Sequence, residues 1–170
     1  DFMRKTICHY FYEKENQRSQ GKRGLVPYIW GLIESKYVAM CEGDDYWIDP
    51  NKLQIQVDYI EAHPECSMTG HNGLNLDCRT GKMVSNDGFI GEQDVSMVEV
   101  LQRKMMCFPT ASFGMKREIY FREPIFLECK TSDWMMQLYA ATKGTIHYFD
   151  RIMSVYRFYT KGSWTSRTYS

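Results

Sequence analysis

The sequence predicts an α/β domain, and three observations predict it. Residues 37 to 41, Tyr-Val-Ala-Met-Cys, form an unbroken apolar run of strand length that stops at Glu42-Gly43-Asp44-Asp45, the pattern of a strand covered on both faces of a sheet. Helical spacing follows it directly and returns at 131–143, so strand-like and helix-like segments alternate. A length of 170 residues suits one domain that buries its own core without disulfide or metal staples.

The elements follow in order. Thr6 to Tyr12, rich in β-branched and aromatic residues, reads as a strand, and the basic stretch Glu13 to Gly24 as a loop. Pro27 opens a short helical pattern through Tyr28, Trp30, Leu32 and Ile33. After the strand 37–41, Asp49 serves as N-cap and Pro50 as first helical residue. Leu53, Val57 and Ile60 then recur on one helix face until His63-Pro64 ends it. A strand over 66–71, a polar turn over 77–82, a helix over 95–103 and a strand over 110–115 come next. Thr131 or Ser132 caps a helix in which Trp134, Leu138 and Ala141 line one face and Met135 and Tyr139 another. Lys143-Gly144 supplies its C-terminal cation and a left-handed stop. Two strands, 145–149 and 152–158, flank an Asp150-Arg151 turn, and a loose polar tail closes the chain.

Composition narrows the function. The 21 Lys and Arg cancel the 21 Asp and Glu, so no net field collects a polyanion, and general nucleic-acid binding is excluded. A hydrophobic share of 44% with 15% aromatic residues excludes a disordered chain. No apolar run approaches the ~20 residues of a membrane-spanning helix. The six cysteines lack Cys-x-x-Cys spacing, which argues against a zinc module and for reduced thiols in a cytoplasmic setting. The first residues lack the apolar core of a secretory signal, and the chain does not begin with Met; a piece of a longer protein is expected.

Chemistry concentrates at the end of the strand 37–41. Ligands of open α/β sheets sit at the carboxyl ends of strands, and carboxylates that converge there need a cation to neutralise them. A surface turn that merely ends the strand is the plain alternative. Asp133 in a helix first turn is held ionised by the helix dipole, either as a base or as a helix-stabilising acid. Trp47 and Trp134 beside these acids are sugar-stacking rings or core walls. Arg157 is a phosphate contact or an exposed strand residue, and His71 a wall of the site or a packed imidazole. His147, and the basic loop with Lys14, Arg18, Lys22 and Arg23, keep ordinary structural readings.

The string from Tyr37 to Ile60, with Glu42-Gly43-Asp44-Asp45 running into Tyr46-Trp47-Ile48-Asp49-Pro50-Asn51-Lys52-Leu53-Gln54, resembles glycosyltransferase family 2. There a strand leads into an Asp-x-Asp type motif followed by Tyr-Trp-x-Asp-Pro-x-Lys-Leu-Gln. A second block resembles the family's acceptor-side segment in the same order: Ser132-Asp133-Trp134, Lys143-Gly144-Thr145-Ile146 and Met153-Ser154-Val155-Tyr156-Arg157. The resemblance implies a GT-A (nucleotide-diphospho-sugar transferase, Rossmann-like) mixed sheet flanked by helices. It implies a partial GT-A domain over 1–160 that lacks its first strands, and a polar tail over 161–170.

The same resemblance assigns roles. Asp44 holds the last position of the acidic motif and is the ligand of Mg²⁺ or Mn²⁺; Glu42, Asp45, Trp47 and Arg157 face the donor; Trp134 and His71 face the acceptor; Asp133 is the general base. The implied activity is inverting transfer of a hexose from a nucleotide-diphospho-sugar, a UDP-sugar first, to a glycan or other hydroxyl acceptor in polysaccharide assembly. Peripheral association with the inner face of the membrane is expected through regions outside this chain. The family's opening strand of the type Ser-Val-Ile-Ile-Pro-Thr-Tyr-Asn and its nucleoside-reading acid are absent. An open sheet without them exposes an edge that invites a homodimer. A non-catalytic remnant that binds carbohydrate or a partner chain is the alternative. A metal-dependent phosphodiesterase or nuclease would need further His or Asp ligands.

Overall fold

The computed structural model describes residues 31–86, 88–103, 107–121, 132–161, 163, 165 and 166. The chain divides into two compact units, Asp1–Glu34 and Ser35–Ser170. The strand over 6–12, the basic loop and most of the segment from Pro27 lie outside the described residues, and the described part of that segment, 31–34, is not helical.

The second unit is a mixed α/β structure around one seven-stranded sheet. Its strands are β1 (Tyr37–Ala39), β2 (Tyr46–Trp47), β3 (Cys66–Asp77), β4 (Met83–Ser85), β5 (Gln93–Val95), β6 (Gly114–Lys116) and β7 (Thr145–Phe158). The path runs β1-β6-β3-β7-β2, with β4 added to β3 and β5 to β7. Only β3 and β7 pair in parallel; the other pairs are antiparallel. The helices are α1 (Lys52–Ala62), α2 (Met97–Gln102), α3 (Arg117–Tyr120) and α4 (Ser132–Lys143), with a 3-10 turn at Thr110–Ser112.

Several expectations need correction. The run 37–41 is not a strand covered on both faces: β1 is three residues long, half-exposed, and pairs among the described residues with β6 alone. Helix α1 begins at Lys52 with Asn51 as N-cap, and Asp49 instead accepts from the Asn51 amide at 2.8 Å in an Asx turn. Its buried face is Lys52, Gln56 and Ile60, while Leu53 is exposed. Gly144 does not stop α4 in a left-handed conformation, since the positive-φ glycines among the described residues are Gly81 and Gly91. Its side is closed by the Glu65 carbonyl, which a Cβ would strike. Thr110–Ser112 is a 3-10 turn, and only Gly114–Lys116 is strand.

The two strands expected at 145–158 are one. β7 runs beside β3 from Cys66↔Thr145 to Asp77↔Phe158, but between His71↔Phe149 and Gly73↔Ser154 it sets residues 150–153 against Asn72 alone, as a bulge. Asp150 holds the bulge by accepting from Asn72 Nδ2 at 3.3 Å and the Gly91 amide at 3.1 Å, and Arg151 pairs with Asp49 at 2.7 Å. The tail is tied rather than loose where it is described: Thr165 is 2% exposed, and its hydroxyl accepts from the Tyr159 amide at 2.9 Å.

The core lies against the first half of β7. Ile146 and Tyr148 join Met68 and Met115 of the neighbouring strands, Phe108, Phe113, Val100 of α2 and Met136, Tyr139 and Ala140 of α4. Each such buried side chain contributes roughly 1.5–3 kcal/mol of transfer free energy. Helix α2 is anchored by a capping box, in which Ser96 Oγ accepts from the Glu99 amide and Glu99 returns to the Ser96 amide. Cys41, Cys66, Cys78 and Cys107 are free thiols. No described helix is long and apolar enough to cross a membrane.

Candidate functional site

The acidic run after β1 folds back as a turn, with the Asp45 amide donating to the Glu42 carbonyl at 3.0 Å. Glu42 is exposed, Asp44 half-buried and Asp45 buried. The end of β7 clamps the turn. The Arg157 amide donates to Asp45 Oδ1 at 2.9 Å, Arg157 Nε donates to the Asp44 carbonyl, and Thr160 Oγ1 donates to Asp44 Oδ2 at 2.9 Å. An open cleft of about 700 Å³ lies here, lined by Gly43, Asp44, Arg157, Tyr159, Thr160 and Lys161 among others.

Asp45 is the under-satisfied member. It is 8% exposed, its Oδ2 has no hydrogen-bond partner, and burial pushes its carboxyl up to about 6 against the pull of the Arg157 amide, with the Asp44 charge adding to the rise. Among the described residues no group of three or more His, Cys, Asp or Glu side chains is arranged to hold a metal by itself.

Asp133 lies in the first turn of α4, half-buried. Tyr156 is half-buried on the second half of β7, and burial first, then the carboxylates of Glu42, Asp45, Asp44 and Asp133, push its phenol up to about 12.

Other candidates separate. Trp134 is fixed in the interior, its Nε1 donating to the Val100 carbonyl at 3.0 Å and its ring packed on the core. His71 is 0% exposed; its Nδ1 contacts the Asn72 carbonyl at 2.7 Å, its Nε2 has no partner, and burial pushes it down to about 3, so the ring is neutral. Trp47 remains 36% exposed, with Nε1 donating to the Ala111 carbonyl at 2.8 Å.

Beneath Trp47 lies a group that sequence reasoning missed. Lys52 is 1% exposed; its Nζ sits 4.5 Å from the centre of the Trp47 ring and donates to Gln56 Oε1 at 2.6 Å. Burial pulls the amine down to about 7. Gln56 Nε2 donates to Thr69 Oγ1 at 3.0 Å and to the Ser112 carbonyl at 2.8 Å. The i, i+4, i+8 spacing of Lys52, Gln56 and Ile60 was the signal available. Tyr156 and Thr160 carried no comparable signal.

No protein-family model matches the chain. An uncharacterized protein of Mycobacterium bovis and uncharacterized proteins of two Mycobacterium tuberculosis strains are each 31% identical to it over 142 residues, 81% of this chain and 39% of theirs. The chain thus spans about two fifths of the length of these curated relatives.

Proposed function

We propose that this chain is the catalytic portion of an inverting, metal-dependent glycosyltransferase of GT-A fold that uses a nucleotide-diphospho-sugar. The observation that carries the reading is the clamp of Arg157 on the Asp44-Asp45 turn beside an open cleft, because it joins residues of the two segments that resemble family 2. The mixed sheet, with acids at the end of β1 and antiparallel β6 between β1 and β3, is in keeping with it.

The chemistry follows from the donor. An acceptor hydroxyl oxygen attacks the anomeric carbon, the bond from that carbon to the nucleoside diphosphate breaks, and the configuration inverts. Asp133 accepts the hydroxyl proton. A divalent cation, when bound, neutralises the charge that develops on the departing diphosphate. Asp44 would hold it, and the unpartnered Asp45 Oδ2 in the same turn fits a cation delivered with its own phosphate ligands, which needs only one or two protein carboxylates. Arg157 holds the turn through its amide and Nε, which presents Asp44 to the cleft.

The test is transfer from a UDP-sugar, with Mn²⁺-dependent UDP binding measured beside it, on the whole gene product. Asp44→Asn should weaken both, and Asp133→Asn should lower turnover by about 10²–10⁴-fold while UDP binding stays. Retained turnover in both variants overturns the reading. The bond from Thr160 to Asp44 Oδ2 favours a second reading, a non-catalytic remnant whose acid is used structurally. Absence of Mn²⁺-dependent UDP binding in the whole protein would support that one.

A further inference from the structure

Trp47 belongs to a closed circuit of contacts. Its Nε1 donates to the Ala111 carbonyl; the next carbonyl, Ser112, accepts from Gln56 Nε2; Gln56 Oε1 accepts from Lys52 Nζ; and Lys52 Nζ returns to the face of the same indole. Gln56 is wedged against Gly114, where a Cβ would come within 2.9 Å of its Cδ, so the amide has little room to swing. The indole is therefore fixed at its edge and on one face, and both anchors meet in one glutamine.

A tryptophan that only walls a core rests on apolar side chains. This one rests on the buried amine of Lys52, which donates to Gln56 and has no bonded carboxylate among the described residues, and burying a polar group in this way costs stability. It also keeps 36% of its surface open. Trp47 pairs in register with Ser154, and Ser154 and Tyr156 lie two residues apart on β7. The three therefore share a sheet face, on the half of β7 whose Arg157 clamps the acidic turn.

We infer that Lys52 and Gln56 are positioning residues that hold the Trp47 indole as a preset stacking seat for a pyranose ring of the acceptor. The inference rests on the glycosyltransferase reading for the word acceptor, but not for the seat itself. A pyranose offers a flat patch of C–H bonds that packs on an indole, and a ring already immobilised loses little entropy on binding. The Lys52 amine, 4.5 Å from the centre of the ring, keeps the indole from tilting.

The experiment titrates the whole protein with maltotriose, cellotriose and triacetylchitotriose. It follows the Trp47 emission, taken as the difference between the wild type and Trp47→Phe. One of the three sugars should quench that emission. Lys52→Met should weaken the quenching by about tenfold and shift the Trp47 emission itself, while Lys52→Arg restores both. In turnover, Trp47→Phe and Lys52→Met should raise the acceptor KM by a larger factor than they lower kcat. If Lys52→Met does not fold, Trp47→Phe, which removes the part-buried bond to the Ala111 carbonyl, carries the KM comparison. No quenching by any of the three sugars, or equal quenching in the wild type and Lys52→Met, overturns the proposal. Loss of UDP binding in the wild type speaks against the enzyme reading alone, since the quenching titration does not depend on it.

Discussion

The two halves of strand β7 pass through the same sheet and are built on opposite terms. The first half, Thr145–Phe149, sends Ile146 and Tyr148 into the hydrophobic cluster, and its histidine is engaged at both ring nitrogens, although the Tyr148 hydroxyl has no hydrogen-bond partner among the described residues. His147 has Nδ1 at 2.8 Å from Asp94 and Nε2 at 3.3 Å from Glu92, under the ring of Tyr59 with centroids 3.8 Å apart. The second half, Ser154–Phe158, contributes nothing to that cluster. Around it, among the described residues, stand Asp45 with an unpartnered Oδ2, Ser154 with an unpartnered hydroxyl and Lys52 without a bonded carboxylate. The first half is where this sheet buries its apolar cluster. The second half stands instead among polar side chains, with an open cleft beside Arg157 and Thr160.

The sharpest way to break the comparison is to remove apolar volume from the first region. Phe113 is fully buried and meets Phe108 edge-on at 5.8 Å. Phe113→Ala should cost about 3–5 kcal/mol in chemical denaturation, and a loss below about 1 kcal/mol would show that the core does not sit where we place it.

A polar substitution in the second region should act with the opposite sign. The Asp45 carboxyl titrates at about 6 in the folded protein against an ordinary 3.8. The stability it contributes is present below pH ~4 and is lost as the pH rises through 6. Asp45→Asn keeps an acceptor for the Arg157 amide and removes that charge. It should therefore stabilise the protein above pH 6, by up to about 3 kcal/mol, with the gap to wild type closing below pH 4. Melting curves from pH 4 to 8 measure this, and a variant less stable at pH 8 than at pH 4 relative to wild type contradicts it. The smallest expected effect is Ser96→Ala, which unmakes the capping box of α2 and should cost about 1 kcal/mol, visible as a lower melting temperature with no change in Mn²⁺-dependent UDP binding.

The apolar half was the more legible in the sequence. The segments 66–71, 132–143 and 145–149 declare themselves through strand-length runs and helical spacing, because their partners are simply other apolar groups; the helix expected over 95–103 is Met97–Gln102, and Val95 belongs to β5. The acid end was legible only as residue types. Asp44, Asp45, Trp47 and Arg157 could be named, but not that Arg157 clamps the turn through its own amide. Helix α1 shows why. Leu53 and Val57 promised an apolar face, yet Lys52 and Gln56 are what it buries, because the Trp47 face and two specific oxygens make that burial tolerable, and those partners lie as far away in sequence as Ser112. The single strand at 145–158 was concealed by Asp150-Arg151, which has the chemistry of a turn and is held here as a bulge by Asn72, Gly91 and Asp49.

That bulge makes β7 a jointed part. Upstream of it the strand keeps step with β3 one way, downstream another, and residues 150–153 take up the difference. Lengthening or shortening the joint by two residues would slide Tyr156 and Arg157 along the acidic turn without disturbing the packing of Ile146 or Tyr148. The fold can thus hold its register constant while the reach of its acid end is adjusted.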